Sequence, residues 1–122
     1  MIKKFLLISI ITLTLSVNAG EYEDALKNND KIFLYFYTKE CGYCQKFTPL
    51  FEKFSNIYGE KCNFLKIDAN SNYGRDLAFK FHVRFLPHVV LVDTKKEKGL
   101  VIIPNCLLQY ACTNDVIKEF VE

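Results

Sequence analysis

No stretch of this sequence is apolar for long enough to cross a bilayer. The run from Phe5 to Val17 is 13 residues, whereas a spanning helix needs about 20. With Lys3 and Lys4 before it and the small-residue site Val17-Asn18-Ala19 at its end, residues 1–19 read as a cleaved secretory signal rather than an anchor. No cysteine stands at the expected new N-terminus near Gly20, so a lipoprotein is not expected. The expectation is an exported, periplasmic chain with no stable membrane insertion after cleavage. An excess of positive charge is missing too. The signal carries two of the 16 basic residues and none of the 14 acidic ones, so 14 of each sign remain. That balance, with no basic stripe, excludes nucleic acid as a partner. Repeats, linkers and low-complexity segments are absent, so residues 20–122 make one domain. Finally, there is no second Cys-x-x-Cys, and His82 and His88 do not share a helix face. A tetrahedral zinc site lacks its four ligands, and no metal is expected. Both histidines are expected to be exposed or hydrogen-bonded.

What the chain does have is five cysteines. In an exported chain of this size they favour disulfides, and the odd number leaves one over. "GEYEDALKNND" (20–30), acidic early and basic late, suits a short helix. "KIFLYFYT" (31–38) is a continuous β-branched and aromatic run, the pattern of a strand buried on both faces. Phe47, Leu50, Phe51, Phe54, Ile57 and Tyr58 then recur at helical spacing. Further strands are expected at 63–70, 88–93 and 99–103, the last two joined as a hairpin by a polar loop. A short helix is expected at 74–81. A closing helix is expected at 113–122 with Thr113 as its N-cap. The predicted class is α/β, with the order α-β-α-β-α-β-β-α.

Cys41 and Cys44 stand where the buried strand hands over to the amphipathic helix. Two cysteines three apart in a first helical turn can close a disulfide without distorting the helix. The first lies at the helix's positive end, where unpaired N–H groups stabilise a thiolate. Cys41 is therefore the expected nucleophile and Cys44 the shielded, resolving thiol. Gly42 permits close approach of another chain to Cys41, and Tyr43 completes the motif.

Strand–"CGYC"–helix, with Pro49 five residues past the second cysteine, resembles the thioredoxin superfamily. The segment "VRFLPHVVLV" resembles the one that carries the family's cis-proline, here Pro87. The likeness implies a single central mixed sheet of about four strands flanked by helices. It also implies that Pro87 lies beside the disulfide, that Leu86 offers backbone to an extended substrate, and that His88 begins the next strand. The implied activity is thiol–disulfide exchange with cysteine-containing exported proteins. The Cys41–Cys44 pair serves as its own redox centre, without any other cofactor, and an unidentified partner protein recharges it. The alternative is a redox-inert binding or assembly module, since "YFYTKECGYCQKFTP" also looks like small exported proteins of conjugation and secretion systems.

Some positions depart from the family pattern. Where relatives often carry a buried acid and a lysine, this chain aligns Tyr35 and Phe64, and a tyrosine cannot accept a proton at neutral pH. The aromatic that often precedes the first cysteine is Glu40. The segment "PNCLLQYAC" (104–112) is longer than the family needs and reads as a loop, braced by a Cys106–Cys112 disulfide. Cys62 is left over, as a small buried apolar residue.

Overall fold

The computed structural model describes residues 20–28, 31–96 and 98–122. The expected signal at 1–19 lies outside the described residues. Among the described residues nine elements follow in order: α1 (Glu21–Asn28), β1 (Lys31–Tyr37), α2 (Gly42–Tyr58), β2 (Asn63–Asp68), α3 (Asn72–Lys80), β3 (His88–Asp93), β4 (Lys98–Ile102), α4 (Pro104–Leu107) and α5 (Tyr110–Val121). The strands form one mixed sheet in the order β2-β1-β3-β4. β2 runs parallel to β1, while β3 is antiparallel to both β1 and β4.

β1 is central, and Ile32 to Phe36 are fully buried. Its continuous apolar run is split by the pleat, which sends alternate side chains to opposite faces. Phe33 and Tyr35 join Phe47, Phe51 and Phe54 of α2 and Ile117 of α5 in one cluster. Ile32, Leu34 and Phe36 join Tyr22 and Ala25 of α1 and Leu77 of α3 in the other. The core is thus two apolar layers with the sheet between them, and the cysteine pair belongs to the α2 side.

Segment 104–112 corrects the expectation of a loop. It forms α4 and the first turn of α5, which begins at Tyr110. Thr113 is not the N-cap. It is fully buried, and its hydroxyl donates to the carbonyls of Cys106 at 2.8 Å and Leu107 at 3.1 Å. A hydroxyl committed to those two carbonyls fastens α4 onto α5 and is not free to cap. Gln109 occupies the cap position without a side-chain bond.

Candidate functional site

A strand end and a helix start place the first cysteine. β1 ends at Tyr37, a turn follows, and Cys41 takes extended backbone angles as the N-cap of α2. Its sulfur accepts the Cys44 N–H at 3.1 Å, one of the donors that a helix start leaves without an internal partner. The first turn of α2 holds no acidic residue. Helix dipole and N–H donor both favour negative charge on the Cys41 sulfur once the pair is reduced.

Cys41 and Cys44 are joined by a disulfide, their Cα atoms 5.2 Å apart. Cys41 is partly exposed, whereas Cys44 is only 1% exposed. An incoming sulfur can therefore reach only Cys41. Apart from its chain neighbours and the backbone of its own helix turn, no described atom lies within 4 Å of where a Cβ on Gly42 would sit, so the surface over the pair stays low. Glu40, the charge that would oppose a thiolate, has its carboxylate held by the Asn70 amide at 3.2 Å.

Behind Cys44 lies Tyr35. Its hydroxyl donates to the Cys44 carbonyl at 2.9 Å and lies 3.0 Å from the Thr48 hydroxyl. Thr48 also donates to that carbonyl, at 2.9 Å. Burial raises the Tyr35 pKa, and the Thr48 hydrogen bond offsets this in part. The group behind the resolving cysteine is therefore a neutral donor. In register, Tyr35 pairs with Lys66, and Phe64 with Phe33. The Lys66 amine sits over the Tyr37 ring, 4.5 Å from its centre, on an exposed residue.

The Leu86–Pro87 peptide is cis. Pro87 is buried, and it lines a groove of about 340 Å³ together with Tyr43 of the motif. His88 begins β3, but it packs on Phe36, with ring centres 6.1 Å apart. Phe36 belongs to the cluster opposite the one that holds Cys44. The expectation of an exposed or hydrogen-bonded His88 is corrected. It is 4% exposed, and neither ring nitrogen has a hydrogen-bond partner among the described residues. The strand's pleat, invisible in a continuous apolar run, turns it inward.

Burial lowers the His88 pKa below its ordinary 6.5, so the unfolded chain takes up its proton first. Stability from this residue is full above about pH 6.5 and falls as pH drops from there towards the lowered folded pKa. His88→Leu removes two unpaired buried nitrogens. It is expected to raise stability by about 1–2 kcal/mol at pH 7 and to flatten denaturant midpoints measured between pH 7 and 5.

A second disulfide joins Cys106 and Cys112, six residues apart. Closing so short a loop is worth roughly 2–3 kcal/mol on the chain-entropy argument. The double substitution Cys106→Ser, Cys112→Ser is expected to lower the denaturation midpoint accordingly. The reaction of Cys41 with a small thiol reagent should be unchanged. Cys62 is the free, buried cysteine. Burial pushes its thiol up to about 12, against smaller lowering effects of Lys31 and a Phe33 backbone hydrogen bond. Among the described residues no cluster of three or more His, Cys, Asp or Glu side chains could hold a metal ion.

A family model described as Thioredoxin matches residues 13–104. Thioredoxin-2 of Saccharomyces cerevisiae is 32% identical over 89 residues, covering 72% of this chain and 83% of that protein. Protein disulfide-isomerase of Medicago sativa is 31% identical over 78 residues, which is 62% of this chain. The chain spans 15% of that isomerase's length, and 34% and 50% of two chloroplastic relatives. Among solved structures, a mutant thioredoxin from Halobacterium salinarum superposes with a TM-score of 0.71 at 25% identity, covering 86% of this chain and 87% of that one.

Proposed function

We propose that this chain, which belongs to the thioredoxin family of thiol–disulfide oxidoreductases, is an exported enzyme that exchanges its Cys41–Cys44 disulfide with cysteine-containing proteins. The observation that carries the reading is the asymmetry of the pair: one sulfur partly exposed at a helix start, the other buried one turn in. A substrate thiolate attacks the Cys41 sulfur, the Cys41–Cys44 bond breaks, and Cys44 leaves as the thiolate. A second substrate thiolate then attacks the mixed disulfide. The substrate loses two electrons and gains a disulfide, and the protein is left as a dithiol. Run in reverse, the Cys41 thiolate opens a substrate disulfide and Cys44 releases it. Export rests on the residue pattern of 1–19, and a partner protein must restore the starting redox state.

Equilibrating the pair with glutathione tests this reading. A reduction potential of about −120 to −180 mV means a donor or shuffler of disulfides, and about −270 mV means a reductant. A pair that never equilibrates would overturn the enzyme and leave a redox-inert binding module.

A further inference from the structure

The two sides of the disulfide are chemically unlike. One side lies beside a cleft of about 320 Å³ whose lining carries Lys39 and Lys66. The other opens on the 340 Å³ groove, whose lining carries no charged side chain. Its near edge is Tyr43, and its floor is the Phe85-Leu86-Pro87 segment. Its far wall comes from Pro104 and Leu108, which belong to the segment that is longer here than the family needs.

We infer that this disulfide-closed wall selects substrates. It receives a large aliphatic or aromatic side chain next to the reacting cysteine of an extended polypeptide. The inference rests on the exchange reading above and names its substrate class.

Three observations carry it. First, apolar surface is left uncovered beside the reactive sulfur: Tyr43 is 59% exposed, Phe85 42% and Leu108 37%. Tyr43 stands between the two cysteines and lines the groove with Pro87, so the occupant argued for is the chain that carries the attacked cysteine. Second, the backbone N–H and C=O of Leu86 take part in no hydrogen bond among the described residues. Free backbone groups along the floor suit an extended segment that pairs with them. Third, the wall is rigid. The Cys106–Cys112 bond closes it, and Thr113 holds the carbonyls of Cys106 and Leu107. Leu107 beneath is fully buried. A wall fixed in advance loses little freedom when a side chain enters, which turns contact into selectivity.

The test uses two disulfide-bonded peptides that differ only beside the cysteine, with leucine in one and aspartate in the other. The reduced protein should open the leucine peptide ten- to a hundredfold faster, the range that burial of one large apolar side chain supports. The variant Leu108→Asp changes a residue that is 37% exposed, and its denaturation midpoint is measured beside that of the unsubstituted protein. It should bring the ratio to about threefold or less, as should Cys106→Ser, Cys112→Ser. Reaction with glutathione disulfide, which is too small to need the wall, should stay within about twofold of the unsubstituted protein. Equal rates for both peptides would overturn the inference, as would a ratio that survives Leu108→Asp. A dimer that Leu108→Asp dissolves, with no peptide preference, would place a second copy in the groove and overturn it as well. If glutathione disulfide itself does not react, the exchange reading fails. The groove is then judged by binding of the same peptides with serine for cysteine, where tighter binding of the leucine peptide upholds it and equal binding ends it.

Discussion

Cys41→Ser is expected to reduce disulfide exchange to background, a loss of about three orders of magnitude or more, whereas Cys44→Ala leaves a reactive protein that stays joined to its substrates. The difference follows from exposure. Cys44, 1% exposed, cannot be attacked by another protein's sulfur, so loss of Cys41 removes the one point of entry. Without Cys44 the entry point persists, but the internal thiol that would release the bound chain is gone. Exchange by glutathione-driven reactivation of a model substrate reads the first effect. Non-reducing electrophoresis reads the second, as adducts that reductant dissolves. Adducts formed by Cys41→Ser would contradict the assignment of roles.

The second large effect is expected at Tyr35. Tyr35→Ala should cost about 3–5 kcal/mol, the range for deleting a fully buried aromatic ring. That ring lies edge-on to Phe47, with centres 4.9 Å apart, and 5.1 Å from Phe51. Tyr35→Phe keeps the ring and should cost only about 1 kcal/mol, because Thr48 still donates to the Cys44 carbonyl. The functional consequence separates packing from proton transfer. With its pKa raised above 10, the hydroxyl stays protonated throughout the neutral range and takes no proton from Cys44. The pH profile of exchange between pH 5 and 8 should therefore keep its shape in Tyr35→Phe. An inflection lost on that substitution would put the hydroxyl in the proton path.

Much of the architecture was legible because the relevant patterns are local. β1 was readable from its unbroken apolar run, and α2 from Phe47, Phe51 and Phe54 on one face. The Cys-x-x-Cys was readable from a spacing that geometry permits in few settings. What escaped depends on contacts distant in the chain. Thr113 has the composition of a cap, but the carbonyls of α4 claim its hydroxyl, and the helix starts three residues earlier. Tyr35 stood out in the sequence only as a departure from the family pattern. The Tyr35 bond to the Cys44 carbonyl needed the packing of α2 on β1 to become visible. One signal was available, since Thr48 stands four residues after Cys44 and a mid-helix threonine often bonds to the carbonyl one turn back. His88 was misjudged because a run buried on both faces gives no sign of which face a given residue meets.

Both disulfides join near neighbours in the chain, three and six residues apart, and this bears on how the protein matures. Closing a small ring costs less chain entropy than closing a large one. An unfolded chain therefore meets its native cysteine partners more often than it meets the distant Cys62. Once the sheet forms, Cys62 is sealed with its thiol pushed up to about 12, which leaves almost no thiolate to attack either bond. Correct oxidation of this chain is thus a short-range event, between cysteines three and six residues apart.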